Sequence, residues 1–295
     1  SLRLVGSEMC IRDRCHPHHH HRYRRPVCLP RPSDHVPDLN SYRQRMKKSV
    51  LISCLFLGLA LIINHGLNRL IEMSQPQEKP GLTAADLDMS NLKDTNDKKK
   101  RFFDFMRPII IEENTRVLDL RARLEEAKRS NMNQAWVREI AEAYTVTWET
   151  GKENWKKLFE RVDAVALEVA LSQSALESAW GQSRFAQQGN NFFGQWCYEK
   201  GCGIIPQNRD DGSKHELATF GSVNESVRNY LKTINTGSVY AGLRIIRRKN
   251  REAGKPVDAK AQAGGLVKYS QQREKYVRSI RNMININRKL MLGIE

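Results

Sequence analysis

A carboxylic acid near the end of a predicted helix is the residue of this sequence best suited to acid–base chemistry. A helical repeat of about 100° per residue puts Glu177 in line with Ala170 and Gln173. Glu177 therefore lies on a strip bordered by small residues, close to the bulky ring of Trp180. A carboxyl group in such a setting is poorly solvated, which raises its pKa and keeps it protonated near neutral pH. We therefore expect Glu177 to act as a general acid.

A second acidic residue of the same predicted helix, Glu168, is excluded from this site. It precedes Glu177 by nine residues, which places it on the opposite side of the helix. A glutamate at a helix end is also common on protein surfaces, so the physics alone leaves a surface role for Glu177 open. What favours chemistry is the setting, because Trp180 and a loop of Asn, Phe and Gly follow Glu177 directly.

Helical spacing dominates the sequence beyond residue 100. The clearest pattern predicts a helix over 161–180, with Gly181 as its C-terminal cap. Earlier in the chain, the helical extension 101–150 contains Pro108, which marks a bend or the start of a new helix. Later, Ser222 and the glutamate three residues on have the spacing of a capping box at the start of another helix.

A β-hairpin interrupts these helices. Ile204 and Ile205, a turn at Asp210-Asp211-Gly212 and an apolar segment at 217–220 predict two short paired strands. The sequence contains no internal repeat and no phosphate-binding loop. These patterns together predict an α+β fold that is mostly α-helical and carries a small β-hairpin lobe.

The positive charge of the chain is unevenly distributed. The sequence has 49 Lys and Arg against 33 Asp and Glu, a formal net charge of +16 over 295 residues. Residues 228–289 alone hold sixteen Lys and Arg against three acidic residues. This favours an anionic partner, although a solvated helical face would have the same composition. No nucleic acid is expected, because the chain is predicted to be exported and lacks a basic motif interleaved with aromatic residues.

The N-terminal residues do not resemble a domain. Residues 1–45 hold six of the eight His and three of the six Cys, at spacings that match no zinc site. Residues 5–14 resemble a peptide produced by translating sequencing-adapter DNA. We interpret residues 1–45 as a non-native or read-through leader.

A signal or anchor follows the leader. Met46 precedes two lysines and an apolar run over 50–63, the form of a signal peptide or membrane anchor spanning 46–71. We favour an uncleaved anchor, with cleavage as the alternative. The lysines hold their end in the cytoplasm, so the rest of the chain is expected to be exported, periplasmic and tethered to the inner membrane. The polar residues 72–100 predict a linker.

One close pair of cysteines lies beyond the anchor. Four residues separate Cys197 from Cys202 along the chain, and in an exported protein such a pair predicts a disulfide. Two cysteines with no histidine nearby make a poor zinc site. We therefore expect neither a metal nor another cofactor.

The motifs around Glu177 resemble those of a known enzyme family. Residues 175–181 read Ala-Leu-Glu-Ser-Ala-Trp-Gly, and residues 190–194 read Asn-Asn-Phe-Phe-Gly. The two motifs, in this order, are similar to those of the N-acetylglucosaminidase family of bacterial wall hydrolases, glycoside hydrolase family 73. The resemblance is strongest to its Bax-type members and runs from about Lys98 to Lys289.

This resemblance implies a lysozyme-like catalytic domain over 151–290. It implies hydrolysis of the glycan strand of peptidoglycan after N-acetylglucosamine, and it matches Glu177 to the family's catalytic acid. The expected partners are therefore peptidoglycan glycan strands, and the membrane through the anchor. Aromatic rings offer flat faces to sugars but also pack in protein cores. The residues that we expect to contact substrate are Gln173, Trp180, Asn191, Phe193, Tyr230 and Tyr269.

A second catalytic carboxylate is not evident. Glycosidases usually use two, and the family places a glutamate in the first hairpin strand, where residues 203–207 here read Gly-Ile-Ile-Pro-Gln. The remaining hairpin acids are Asp210, Asp211 and Glu216, of which the Asp pair suits a turn. A water, or the N-acetyl group of the substrate, would then attack. A lytic transglycosylase reaction, which needs one acid, and a non-catalytic wall-binding protein stay open as alternatives.

Overall fold

The computed structural model describes residues 80–207, 209, 212, 214–269 and 272–294, with five isolated positions between residues 43 and 58. The chain divides into two compact units, residues 1–76 and residues 77–295. The second unit contains every residue expected to contact substrate.

The predicted leader and anchor fall almost wholly outside the described residues. Of the apolar run 50–63, only Val50 and Gly58 are described. Among the described residues, no helix is both long enough and apolar enough to cross a bilayer. The leader, the anchor and export therefore stay predictions.

Helices account for most of the second unit. In the described part of the chain, the α-helices are α1 (Thr95–Ser130), α2 (Gln134–Ala143), α3 (Trp155–Arg161), α4 (Leu167–Glu177), α5 (Arg184–Gly189), α6 (Val223–Thr236), α7 (Ala241–Glu252), α8 (Ala259–Gly264) and α9 (Glu274–Leu292). Short 3-10 helices occur at Ala84–Asp86 and Ser238–Tyr240. With the small sheet described below, this arrangement confirms the predicted α+β class.

The longest helix, α1, runs through a proline. Its 36 residues continue past Pro108, so the prediction of a new helix at Pro108 is wrong. A proline inside a helix removes one backbone donor. Here the side chains on either side of Pro108 are deeply buried, including Met106 and Ile109, and their burial offsets that loss. The helix also begins inside the predicted linker, where the Asp94 carboxylate accepts hydrogen bonds from the first backbone N–H groups.

The main hydrophobic core surrounds α4. This helix packs against α1, α8 and α9, and most of its residues are buried, whichever face of the helix they lie on. Side chains from α1 and α9 close the core, among them Phe102, Phe103 and Ile280. The predicted helical extension 101–150 therefore supplies part of the core in which the predicted acid is held. A second cluster, which includes Leu124, joins the far end of α1 to α2 and α3.

The helix predicted over 161–180 is shorter in the structure. The chain leaves α3 at Arg161 and enters α4 only at Leu167. At the other end, α4 stops at Glu177, because Ala179, Trp180 and Gly181 all have positive φ angles. The prediction of Gly181 as the C-terminal cap is wrong, because the helix ends earlier and Ser178 is its C-cap; Gly181 follows with φ +77°, and its N–H donates to Ser178 Oγ. Glu177 is therefore the last residue of α4.

Three short antiparallel strands form the small sheet. They are β1 (Trp196–Cys197), β2 (Gly203–Ile204) and β3 (Glu216–Ala218), with β3 in the centre. Ile204 pairs with Leu217, as expected for the predicted hairpin, and Trp196 pairs with Leu217 from the other side. The strand β1 is an addition that the sequence did not predict. The predicted turn residues Asp210 and Asp211 lie outside the described residues.

Residues 81–87, here named the strap, lie in the predicted linker, but they belong to the second unit and pack against the rest of it. The carbonyl of Leu82 accepts a hydrogen bond from the N–H of Val223 at 2.7 Å. The N–H of Ala84 donates to Asn190 Oδ1 at 2.8 Å, and the side chain of Leu87 is buried. The strap thus joins the start of α6 to the loop that follows α5.

Candidate active site

The end of α4 presents the carboxyl group of Glu177 to a groove. Tyr276, near the start of α9, donates a hydrogen bond from its hydroxyl to Glu177 Oε1 at 2.8 Å. The second carboxyl oxygen, Oε2, lies beside Gly194, 3.7 Å from the position that a Cβ atom there would take. Gly194 has φ +61°, so a side chain at this position would be strained as well as close to the carboxyl group. Glycine at position 194 thereby leaves the space beside Oε2 free of a side chain.

Burial sets the protonation of this carboxyl group. Desolvation raises the pKa of Glu177, and the hydrogen bond from Tyr276 opposes that rise in part. The direction agrees with the expectation from the sequence. Burial also raises the pKa values of Tyr230, Tyr269 and Tyr276, so these hydroxyl groups stay neutral donors.

Two buried side chains and the half-buried Tyr276 hold Glu177 through a chain of hydrogen bonds. Tyr230 on α6 donates to Gln173 Oε1 at 2.8 Å. Gln173, which is fully buried in α4, donates from Nε2 to the Tyr276 hydroxyl at 3.2 Å. Tyr276 then donates to Glu177. This chain links α4, α6 and α9, and it fixes the direction in which the Tyr276 hydroxyl points.

Two neighbouring asparagines shape the loop opposite Glu177. Asn190 has φ +51° and ends α5, and its side chain bonds both the strap and the carbonyl of Phe220. Asn191 is buried, and its amide donates to the carbonyls of Gln195 and Ala218 at 2.9 Å each. Asn191 therefore fastens the loop to the sheet, and its side chain is occupied by protein groups.

Stacked aromatic rings line the inner wall of the site. Phe193 stacks on Tyr230 with ring centroids 3.9 Å apart, and both side chains are buried. Tyr269 stacks on Tyr276 at 5.0 Å. Tyr240 lies 5.9 Å from Tyr269. These contacts hold the rings in place around the carboxyl group.

The groove itself is a cavity of about 520 Å³. Glu177 lies on its wall together with three of the residues that we expected to contact substrate, namely Phe193, Tyr230 and Tyr269. Two aromatic side chains at its edge are strongly exposed, Trp196 by 50% and Tyr198 by 74%. Exposed rings beside a polar groove suit contact with the apolar faces of sugars. Trp196 and Tyr198 lie just after the Asn-Asn-Phe-Phe-Gly motif, where aromatic residues are expected to offer flat faces to sugar rings.

Trp180 lies elsewhere. Its ring packs edge-on against Phe102 and Phe103, with centroids 5.5 and 5.4 Å away. It is not among the residues that line the groove, and neither are the buried Gln173 and Asn191. In the structure, these three side chains support the site from behind. Tyr276, which sequence reasoning did not place among the substrate contacts, bonds the acid directly.

Glu216, the hairpin acid that the structure describes, does not supply a second carboxylate to the groove. Glu216 is buried in β3, where its two oxygens accept the N–H groups of Gly201 and Gly203 at 3.1 and 2.9 Å. These bonds lower the pKa of Glu216 and keep it ionised. Glu168 lies at the other end of α4, 3.5 Å from Arg288. Among the described residues that line the groove, Glu177 is the one acid.

The predicted disulfide is present. Cys197 and Cys202 are bonded, with their Cα atoms 6.2 Å apart. Their sulfur atoms and the Glu216 carboxylate lie within 4.8 Å of one another. Because both sulfurs are in the disulfide, neither is a thiolate that would ligate a metal. The group instead closes the loop that carries Tyr198 at the edge of the groove.

The arrangement has the parts of a general acid site. Glu177 has a raised pKa, one oxygen is held by Tyr276, and the other lies beside Gly194, which also lines the groove. A protonated carboxyl so placed can donate its proton to a leaving oxygen. The aromatic edge of the groove can hold a sugar chain.

Comparison with known proteins is consistent with this chemistry. The family model for mannosyl-glycoprotein endo-beta-N-acetylglucosaminidase matches residues 152–289. Protein bax of Escherichia coli (strain K12) is 30% identical over 200 residues, which cover 66% of this chain and 71% of that protein. The catalytic domain of the autolysin Auto from Listeria monocytogenes aligns over 69% of this chain and 92% of its own, at 15% identity and a TM-score of 0.35. That structural likeness is weak, and the family match and the relative decide the assignment. The chain belongs to the glucosaminidase family of glycoside hydrolases.

Proposed function

We propose that this protein cleaves the glycan strand of peptidoglycan after N-acetylglucosamine, with Glu177 as the general acid. The observation that carries the proposal is the placement of the Glu177 carboxyl group, desolvated and hydrogen-bonded by Tyr276 at the wall of an aromatic-edged groove. The family supports a glycosidic bond as the target. The resemblance of the motifs to those of bacterial wall hydrolases supports peptidoglycan as the substrate.

In the proposed reaction, the proton of Glu177 moves to the glycosidic oxygen. The bond between that oxygen and the anomeric carbon of N-acetylglucosamine breaks, and the carbon acquires positive charge. Water then attacks the carbon, directly or after the N-acetyl oxygen of the sugar has bonded to it, and the glycan ends in a reducing sugar. Glu177, now ionised, accepts the proton that water gives up.

A lytic transglycosylase reaction is the second candidate, and one observation favours it. The described groove contains a single acid, and transglycosylation needs only one. In that reaction a hydroxyl group of the sugar itself attacks the anomeric carbon. The product is then an anhydro sugar, and no water is consumed.

The test is clearing of cell walls in a gel by the full chain. We expect wild type to clear the walls and Glu177→Gln to clear them at least about a hundredfold more slowly, because general acid catalysis accelerates a reaction by at least about this factor. Glu168→Gln is the matched control, since it makes the same change on the same helix at the end remote from the groove. Equal clearing by wild type and Glu177→Gln would remove Glu177 from the mechanism, and no clearing at all would favour a non-catalytic wall-binding protein.

Mass spectrometry of the released fragments then distinguishes the two reactions. Reducing ends at N-acetylglucosamine support hydrolysis as proposed. Anhydro-muramic ends would instead establish transglycosylation.

The location follows from the same proposal: a wall hydrolase acts outside the cytoplasm, and we propose a periplasmic protein tethered to the inner membrane through residues 46–71. Fractionation of cells that express the full chain tests this location.

A further inference from the structure

A second cavity, here named the α6 pocket, lies on the other side of α6 from the groove. Its volume is about 520 Å³, and it is bounded by α1 and α6. Its wall is mainly apolar and includes Val117, Leu120, Tyr144, Phe220 and Leu231. None of these residues belongs to the glucosaminidase motifs around Glu177.

The acidic groups of the α6 pocket are already engaged. Glu113 is almost fully buried, and both of its oxygens are bonded by Arg228, at 2.9 and 3.1 Å. Arg116 lies 3.6 Å from the same carboxylate. Glu225 accepts a hydrogen bond from the N–H of Gly221 as part of the cap of α6. These charges are therefore balanced or held within the protein.

Lys232 is different. Its Nζ atom lies 3.7 Å from the centre of the Tyr144 ring, and the side chain is half-buried. It forms no ion pair with a carboxylate in the part of the chain that the structure describes. Burial lowers the pKa of Lys232, because its ammonium group loses contact with water, and beside the Tyr144 ring no carboxylate of the described residues replaces that water. An anionic group from outside the protein would do so.

The α6 pocket and the groove meet at one residue. Asn229 lines both cavities, and it lies three residues, about 4.5 Å along the helix axis, before Lys232. A branched ligand can therefore place its main chain in the groove and its branch across Asn229 into the α6 pocket. Peptidoglycan is such a ligand, since short peptides branch from alternate sugars of its glycan strand.

We propose that the α6 pocket binds the stem peptide of peptidoglycan, with a peptide carboxylate on Lys232 and aliphatic side chains against Val117 and Leu120. This inference rests on the proposed function. The chemistry matches the occupant, because a stem peptide carries carboxylates and aliphatic side chains that can extend away from the glycan strand into a second cavity, whereas the N-acetyl and lactyl groups of a bare glycan stay attached to the sugars in the groove. The enzyme then selects strands that still carry peptides over strands from which the peptides have been removed.

Binding of a synthetic stem tetrapeptide to the full chain, measured by titration calorimetry, tests the proposal. We expect the peptide with free carboxylates to bind at least about tenfold more tightly than the same peptide with its carboxylates amidated. In Lys232→Gln, that preference disappears. Lys249→Gln is the matched control, because Lys249 is an exposed lysine on α7 that lines neither cavity, and it should retain the preference.

Two results would overturn the proposal. One is equal binding of the free and amidated peptides by wild type, or no binding of either. The other is a full preference retained in Lys232→Gln. Circular dichroism of each variant confirms that it is folded.

The experiment separates this inference from the proposed function. Peptide binding is measured without any cleavage, so it does not depend on Glu177. Clearing of walls that depends on Glu177, without peptide binding, would reject the α6 pocket alone. Peptide binding through Lys232 with no cleavage would reject the reaction and retain the pocket.

Discussion

The hydroxyl of Tyr276 donates a hydrogen bond to Glu177 Oε1 at 2.8 Å, from a helix that begins nearly one hundred residues later in the chain. This bond acts against desolvation, which is the larger influence on the carboxyl group. The pKa of Glu177 is therefore a balance between burial at the end of α4 and one donor on α9. The first two predictions follow from this balance.

Removing the Tyr276 hydroxyl shifts the pH profile of cleavage. A general acid must be protonated, so activity falls as the pH rises through the pKa of Glu177. The hydrogen bond lowers that pKa, and Tyr276→Phe removes it, so the alkaline limb moves to higher pH. Rates of wall clearing between pH 4 and pH 9, on either side of the usual glutamate range, measure the limb.

Tyr240→Phe is the control for this measurement. Tyr240 also lines the groove but donates no hydrogen bond to Glu177 in the described structure. The alkaline limb of the pH profile of Tyr240→Phe should coincide with that of wild type. A shift to lower pH in Tyr276→Phe would mean that the tyrosine does not stabilise the ionised acid.

Replacing Glu177 with Gln stabilises the protein at high pH. Because the pKa of Glu177 is raised by folding, the folded state holds this proton more tightly than the unfolded state. Stability of wild type therefore falls as the pH rises from the unfolded value, about 4.3, through the raised folded value. The difference in melting temperature, Glu177→Gln minus wild type, should increase between pH 4 and pH 8. An exposed change on α2, Glu142→Gln, should show no such increase.

Folding of the catalytic part requires α1. Phe102 is fully buried and contacts Trp180, although it lies outside the family match at 152–289. Phe102→Ala should cost about 3–5 kcal/mol of unfolding free energy, the usual range for a buried phenylalanine. Leu118→Ala on the exposed side of the same helix should cost less than about 1 kcal/mol. Urea unfolding followed by circular dichroism measures both.

The same core predicts the outcome of a truncation. A fragment limited to 151–290, the catalytic domain predicted from the sequence, lacks the α1 side chains that close the core around α4. It should therefore show no cooperative unfolding transition. A fragment that starts at residue 80 retains both the strap and α1 and should unfold cooperatively. A cooperative transition in the shorter fragment would show that α1 is dispensable.

Asn190 separates a backbone effect from a side-chain effect. Its φ of +51° favours glycine, whereas its side chain bonds the strap and Phe220. Asn190→Gly keeps the backbone conformation and loses both bonds, at a cost of about 1–3 kcal/mol. Asn190→Ala should cost about 1 kcal/mol more, because alanine is also strained at positive φ. Equal losses in the two variants would assign the whole effect to the hydrogen bonds.

Opening the disulfide should loosen the edge of the groove more than the fold. The bond between Cys197 and Cys202 closes a short loop, so its chain-entropy contribution is about 2 kcal/mol. The main core lies elsewhere and should survive in Cys197→Ser/Cys202→Ser. We expect a lowered melting temperature and faster amide exchange at Gly201 and Gly203, whose N–H groups bond Glu216. Unchanged exchange there would show that the Glu216 bonds hold the loop without the disulfide.

Chain order alone predicted the class of the fold and singled out Glu177 as the candidate acid. Helical periodicity placed Glu177 near the end of a helix, and the spacing of two motifs pointed to the glucosaminidase family. The pairing of Cys197 with Cys202 also followed from local spacing. All three are properties of neighbouring residues, for which chain order is a reliable guide to distance.

The side chains from distant parts of the chain that contact Glu177 became evident from the packing of the helices. Periodicity gives the face of a helix but not the helix that packs against it. Tyr276 reaches the acid, and Trp180 turns away from the groove, because three residues after Glu177 adopt positive φ angles while α1 and α9 pack around α4. Pro108 did not start a new helix, since burial of α1 outweighed the local preference. The position of Glu177 in its helix therefore depends on neighbouring residues, whereas the groups that hold its carboxyl group and shift its pKa come from distant parts of the chain.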